Sequence, residues 1–240
     1  MSVDVAALRA RFPSLRSGIA HFDGPGGTQT PAEVGEAIAA TLTATPIVAQ
    51  GPMVAPGSRN PAAVTGGTYT ADPAHTMVVW TLDHMGFSPY SGIFGEVTGA
   101  LMLDPKQPNA AKVDVTIPVS KVTTAPAALT QHLFRAGKDG GKPDFFGPAP
   151  ADARFVSTKV VATGQKAVIT GNLTLNGVTK PVTLQASFYG AGKAPAMMGG
   201  KENVGFHATG VIKRSDFGLG YFVPVVGDEV KLDIAAAFQK

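Results

Sequence analysis

The chain has 240 residues and no cysteine, which excludes disulfide bonds, thiolate nucleophiles and thiolate metal sites. Its 29 glycines and 19 prolines, with only 15% charged residues, favour an all-β protein with many turns. The formal net charge is +3, and the basic residues are scattered along the sequence, with only Lys213 and Arg214 adjacent. Because a nucleic-acid surface needs a clustered basic stripe, we expect no nucleic-acid partner.

The first 66 residues have helical and loop patterns. Apolar residues within 5–12 predict one short helix, and the glycines of 22–28 predict a tight turn. Pro31 stands where a second helix begins. Residues 44–66 are rich in Pro and Gly, which is typical of a linker. We therefore divide the chain into an N-terminal fragment (1–43), a linker (44–66) and a main domain (67–240).

The run from Ala37 to Ala49 is the most apolar in the chain, but it is shorter than the ~18–20 residues that span a bilayer. It is similar to the apolar part of an export signal, with a small residue at the end. Glu33 and Glu36 stand where such a signal needs basic residues. We expect that the chain as written is not exported efficiently and stays in the cytoplasm.

From residue 67 onward, apolar and polar residues alternate with a period of two, which is the pattern of half-buried strands. Asn176-Gly177 lies between two such runs and predicts a type I′ hairpin turn. One helix is predicted near residues 125–135. The pattern predicts about eight strands, centred on residues 78–83, 93–103, 113–119, 155–161, 167–175, 182–188, 204–212 and 230–238.

Eight one-sided strands with a single helix lack the crossovers that a parallel sheet needs. A closed antiparallel barrel removes the exposed edges, and eight strands enclose room for about one small ligand. We therefore predict an all-β fold, a closed eight-stranded antiparallel barrel with one short helix after a partly helical N-terminal segment. The side chains expected to face a ligand pocket are Val78, Trp80, Leu82, Val115, Ile117, Phe155, Ile169, Leu173, Leu184, Phe188, Phe206, Leu232 and Ile234.

A family resemblance is carried by short stretches in a fixed order along the barrel region. They are Tyr69–His75, His84–Ser88, Gly92–Phe94, Phe155–Thr158, Gly171–Leu184, Gly205-Phe206 and Arg214–Gly218. Together they resemble the YceI-like family of lipocalin-like, polyisoprenoid-binding proteins. The resemblance implies a periplasmic, non-catalytic barrel that holds a polyisoprenoid or fatty lipid, for storage, for transport or in quinone metabolism. It implies no cofactor beyond such a ligand.

Residues 1 to about 42 show a second resemblance, carried by Arg11–Leu15 and Phe22–Gln29. They resemble the N-terminus of class V aminotransferases of the cysteine desulfurase type, and nothing after Leu42 continues that pattern. A pyridoxal phosphate enzyme needs a cofactor lysine, a ring-stacking group and a carboxylate, which so short a fragment does not supply. The chain resembles a fusion, and the alternative function is that of a pyridoxal-phosphate-dependent transferase that lacks its catalytic domain.

Catalytic and metal sites find little support in the sequence. The five histidines lack the spacing of a strong metal site, and there is no Gly-x-Ser-x-Gly motif. His84 continues the face of Trp80 and Leu82, and His132 lies on the predicted helix, so both are candidates for contact with a ligand's polar head group. The alternatives are a buried, hydrogen-bonded His84 and a surface His132. We expect no enzyme activity and no metal site. The sequence leaves open whether the barrel interior is a ligand cavity or a filled core. It also leaves open whether the protein is a monomer or a homodimer.

Overall fold

The computed structural model describes residues 4–12, 31–44 and 54–240, which form two compact units divided between Val54 and Ala55. The first unit contains helices α1 (Val5–Ala10) and α2 (Ala32–Ala44). Asp4 Oδ1 accepts hydrogen bonds from the first N–H groups of α1, and α2 begins directly after Pro31, so both helices start where the sequence predicts them. The predicted turn over residues 22–28 and residues 45–53 of the predicted linker lie outside the described residues.

The second unit is built almost entirely of strands. The strands are β1 (Gly67–Ala71), β2 (Met77–His84), β3 (Ser88–Phe94), β4 (Thr98–Leu103), β5 (Lys112–Ile117), β6 (Thr123–Thr124), β7 (Ala153–Thr163), β8 (Lys166–Leu175), β9 (Val178–Lys193), β10 (Glu202–Lys213) and β11 (Glu229–Gln239). One α-helix, α3 (Ala127–Leu133), falls inside the region predicted as helical. This unit begins earlier than the domain boundary predicted at residue 67.

The strands close into one antiparallel barrel. On one edge β11 pairs with β10 along its whole length, and on its other edge it pairs with β1 and β2. The six shortest strands form three broken barrel strands, β1 with β2, β3 with β4 and β5 with β6, which lie side by side. With the five long strands β7 to β11 they make eight, so the predicted closed eight-stranded barrel is confirmed.

Local sequence explains the turns between the long strands. Asn176 and Gly177 both have positive φ (51° and 77°), as a type I′ turn requires, and they join β8 to β9 in the predicted hairpin. Pro118 interrupts β5 and β6 because proline cannot donate to a strand ladder. The edge of β6 is covered by α3, and the side-chain hydroxyl groups of Thr124 and Thr130 are hydrogen-bonded to each other at 2.8 Å.

Candidate ligand cavity

The barrel encloses a cavity of about 350 Å³, within the size range of small-molecule sites. Its lining is almost wholly apolar. Of the thirteen side chains predicted to face a pocket, the structure places eleven in the lining: Val78, Val115, Ile117, Phe155, Ile169, Leu173, Leu184, Phe188, Phe206, Leu232 and Ile234.

The interior is hollow. Inward-facing side chains such as Val115, Ile169 and Phe206 remain partly accessible, although the barrel wall separates them from the outside. By contrast, Val204 is 1% exposed where the wall packs tightly. In a filled core all of these side chains would be fully buried, because interiors pack without voids larger than a water molecule. The sequence is compatible with either a cavity or a filled core, and the structure has a cavity.

A row of alanines creates much of this space, and none of them is among the thirteen predicted pocket residues. Ala162, Ala167, Ala186 and Ala208 pair in register across β7, β8, β9 and β10, and all four line the cavity. A methyl group at each rung leaves room where a larger side chain would fill the barrel. The inward alanines of neighbouring strands were the signal available in the sequence.

The cavity opens at one end of the barrel, which we call the mouth end. The exposed members of its lining all lie there: Pro61, Pro105, Pro108, Gly164, Gln165 and Lys166. They come from residues 55–66, from the loop between β4 and β5, and from the turn between β7 and β8. Lys166 is the only charged residue in the lining, so the described residues place no acid, base or metal cluster inside the cavity.

Residues 55–66, which we call the strap, cross the mouth. Ser58 exchanges two backbone hydrogen bonds with Ala191 of β9, at 2.8 and 2.9 Å. The strap then contributes Pro61 and Val64 to the cavity lining. A Cβ atom at Gly192 would lie 2.3 Å from the carbonyl oxygen of Pro56, so this close approach needs glycine. The strap therefore covers part of the opening.

The opposite end, which we call the closed end, is sealed by apolar packing. Phe217 and Leu219 are 1% and 5% exposed, and they belong to the same core cluster as the lining residues Phe155 and Leu173. The loop that carries them is residues 214–228. Among the described residues, the exposed part of the cavity lining therefore lies at the mouth end.

Arg214 holds that sealing loop in place. Its guanidinium is buried and donates to the carbonyl oxygens of Leu219, Tyr221, Val226 and Gly227. Burial lowers the pKa of Arg214, although the nearby Asp228 favours its charged form. Arginine suits this position because its planar fork can satisfy several carbonyl groups at once.

Asp228 fixes the start of the same loop. It accepts hydrogen bonds from the backbone N–H of Ser215 (2.9 Å) and from its hydroxyl (2.8 Å). Burial alone would raise the pKa of the Asp228 carboxyl group. The two hydrogen bonds from Ser215 and the nearby positive charge of Arg214 outweigh this effect, so the pKa is lowered. Asp228 is therefore ionised at neutral pH and supports the closed end.

Trp80 and Leu82 do not line the cavity, which differs from the prediction. Trp80 lies across Gly92 of the neighbouring strand, where an added Cβ atom would be 2.3 Å from the indole, and next to Tyr90. Its N–H has no hydrogen-bond partner among the described residues, and neither has the hydroxyl of Tyr90. Trp80 is paired with the lining residue Leu232, so strand parity gives the correct side of the wall, but the indole packs on Gly92 and Tyr90 and is not part of the lining.

His84 and His132 also lie at the closed end rather than at the cavity. His84 ends β2, is exposed and lies against the ring of Tyr90. His132 is partly buried on α3, where its Nε2 lies 2.8 Å from Asp144 and its ring packs edge-on against Phe145. Neither histidine touches the cavity, so the structure does not place them as contacts for a ligand's head group.

The two ends differ in charge. The loops of the closed end and the strand ends that flank them carry five basic and six acidic residues: Arg135, Lys138, Lys142, Lys213 and Arg214 against Asp139, Asp144, Asp152, Asp216, Asp228 and Glu229. The mouth end, counted in the same way with the strap and the last residue, carries seven basic and two acidic residues: Arg59, Lys106, Lys112, Lys166, Lys193, Lys201 and Lys240 against Asp104 and Glu202. The mouth is therefore electropositive.

A comparison with known protein families identifies the barrel. The profile of the YceI-like domain matches residues 69–238, which includes every strand except the first residues of β1 and the last of β11. The chain belongs to the YceI-like domain family. The protein YceI of Salmonella arizonae is 41% identical over 162 residues, which cover 67% of this chain and 80% of that protein. Protein YceI of Salmonella paratyphi B matches to the same extent.

Two solved structures have a similar fold. The YCEI protein of Campylobacter jejuni is 30% identical and superposes with a TM-score of 0.54, covering 66% of this chain and 89% of that one. BcnA of Burkholderia cenocepacia is 25% identical, with a TM-score of 0.56 over 70% of this chain and 98% of its own. Both matches agree with a single barrel as the family unit.

Two further findings concern the rest of the chain. In the part that the structure describes, no helix is long and apolar enough to cross a membrane. The family match begins after the region that resembles an aminotransferase, so it does not bear on that resemblance. Most of the two stretches that carry it, including Phe22–Gln29, lie outside the described residues.

Proposed function

We propose that this chain binds a long, apolar, chain-like ligand, a polyisoprenoid or a fatty lipid, inside the barrel and does not catalyse a reaction on it. The observation that carries the proposal is a hollow apolar interior with one opening. A hydrocarbon chain gains about 25 cal/mol for each Å² of surface that it removes from water, so such an interior favours it strongly. A polar metabolite would find no hydrogen-bond partner beyond the rim.

The lining supports binding rather than catalysis. Its only charged side chain is Lys166 at the rim, and the acid and base pairs, such as His132 with Asp144, lie away from the cavity. General acid–base or nucleophilic catalysis needs such groups within hydrogen-bond reach of the substrate. We infer that the protein stores or carries its ligand.

The ligand can be identified directly. Purified protein is extracted with organic solvent, and the extract is examined by mass spectrometry. We expect at least one isoprenoid or long-chain lipid in about stoichiometric amount. A lipid-free extract, together with no saturable uptake of a long-chain isoprenoid alcohol by the delipidated protein, would overturn the proposal.

A cavity-filling variant tests where the ligand binds. Ala208→Phe places a ring in the alanine row, so ligand binding should weaken at least tenfold. The variant should lose less stability than the roughly 1–3 kcal/mol typical of overpacking, because the space is empty. Ala235→Phe is the matched control, since Ala235 is exposed on the outside of β11. Equal loss of binding in both variants would contradict a ligand inside the barrel.

A further inference from the structure

The hairpin between β9 and β10 extends beyond the start of β8 on the mouth side of the barrel. Strand β8 begins at Lys166, opposite Ser187, but β9 continues to Lys193, roughly 20 Å further at about 3.3 Å for each residue. On its other side β10 stays paired with β11 as far as Asn203, so the residues between Lys193 and Glu202 form the projecting tip. The hairpin ends in a short turn over Ala196–Met198, followed by Gly199 in a left-handed conformation.

The tip of this hairpin is apolar and unusually exposed. Met197 is 94% exposed and Met198 is 72% exposed. Lys193 and Lys201 flank them on the two strands, and both lysines are exposed. A flexible apolar tip between two cations is the arrangement with which peripheral proteins enter the interface of an anionic membrane.

The charge of the mouth end points the same way. The negative charge of Glu202 is offset by Lys240, which lies 3.3 Å from the carboxylate, and the carboxylate also accepts a hydrogen bond from Thr65. The other six basic residues, Arg59, Lys106, Lys112, Lys166, Lys193 and Lys201, form no ion pair among the described residues. Asp104 is the only other acid at this end, so a strong positive field surrounds the opening and the methionine tip.

The geometry points to a docking surface for an anionic phospholipid bilayer, formed by the β9–β10 hairpin tip and the basic residues around the mouth. Docking in this orientation places the opening of the cavity against the membrane, where an apolar ligand can pass between the two without crossing water. The transfer of a ligand rests on the proposed function, whereas the docking itself rests only on charge and exposed apolar surface. The opposite end carries Phe87, 86% exposed, but no excess of positive charge.

Vesicle co-sedimentation of the full chain tests the docking. The protein should bind vesicles that contain roughly one-third phosphatidylglycerol and should not bind phosphatidylcholine vesicles. Binding should weaken strongly at 0.5 M salt, because the Debye length falls well below 10 Å. Failure to bind the anionic vesicles at low salt would overturn the proposal, as would equal binding to both kinds of vesicle.

Two double variants locate the surface. Lys193→Gln with Lys201→Gln should weaken binding to anionic vesicles about 25-fold, or about fivefold for each lysine. Met197→Ser with Met198→Ser should weaken it while leaving its salt dependence in place. The matched controls at the closed end are Lys138→Gln with Lys142→Gln, and Phe87→Ser, and these should bind like the wild type. Loss of binding in the controls instead would show that the opposite end docks, and would overturn the proposal.

Extraction of each variant separates the two proposals. If the lysine variant loses vesicle binding but keeps its bound lipid, docking is a property of the surface and ligand binding is a property of the barrel. If the wild type docks but its extract contains no lipid, the docking stands and the proposed function fails. If lipid is present and the wild type does not dock, the proposed function stands and the docking is overturned.

Discussion

Two inward aromatic side chains, Trp80 and Phe188, differ in whether they meet the cavity. Phe188 lines it and packs edge-on against Phe206, whereas Trp80 packs on Gly92 and Tyr90 nearer the closed end. A ligand should therefore change the environment of residue 188 and leave that of the indole at residue 80 almost unchanged.

This difference can be measured by fluorescence. A variant with Trp80→Phe and Phe188→Trp should show a saturable shift or quenching of its emission when a long-chain isoprenoid alcohol is added. The wild type should change little over the same range of concentrations. A wild-type response as large as that of the variant would mean that the ligand lies near the closed end instead.

Arg214 is the residue on which the closed end depends. Arg214→Lys keeps the charge, but an ammonium group cannot reach all four carbonyl oxygens. Each buried carbonyl oxygen left without a donor lowers the stability of the fold by about 1–3 kcal/mol. We expect the free energy of unfolding in urea to fall by about 3 kcal/mol. Arg154→Lys is the control, because its pair with Asp114 is solvent-exposed and its loss should leave the midpoint almost unchanged. Equal effects of the two substitutions would show that the carbonyl contacts contribute little.

At the scale of elements, we expect the strap to slow the exit of a ligand. Opening it breaks the two backbone hydrogen bonds between Ser58 and Ala191, each worth about 1 kcal/mol net. A chain that begins at Gly67 lacks the strap and should therefore release its ligand roughly 30-fold faster. A chain that begins at Ala55 keeps the strap and should release it at the full-length rate.

A point variant tests the strap without truncation. Gly192→Val in the full chain forces the strap away from β9, since even a Cβ atom there would meet the carbonyl group of Pro56. It should release the ligand faster, as the chain that begins at Gly67 does. Unchanged dissociation rates for both would show that the ligand leaves by another route.

The elements themselves could be predicted because each strand is amphipathic with a period of two. The three breaks, at residues 72–76, 95–97 and 118–122, could not, because their effect depends on neighbouring strands breaking at the same level of the wall. The strap resembles a linker in composition, and its pairing with Ala191 and the place of Pro61 and Val64 in the lining make it part of the mouth.

At the scale of individual side chains, periodicity predicts which way a side chain faces and not what it packs against. It therefore places Trp80 and Leu82 on the inner face, but it does not show that neither side chain lines the cavity. It also gives no weight to Ala186 or Ala208, because small inward residues look the same in a filled core. The empty space is a property of the closed ring of strands.

At the scale of the barrel, the fold brings together basic residues that are scattered in the sequence. The basic residues are scattered along the sequence, which argued against a basic patch. The fold brings Arg59, Lys106 and Lys193, which are far apart in the chain, to the same end. Net charge alone, at +3, could not show this polarity.

The three broken strands have one more consequence. The ladders beside the breaks include short ones, since β1 pairs with β11 over two residues and β6 pairs with β3 over two. Away from the breaks, β8 pairs with β9 over ten residues. We therefore expect amide protons next to the breaks to exchange with solvent fastest. The barrel can open locally along the breaks while its long strands keep their register.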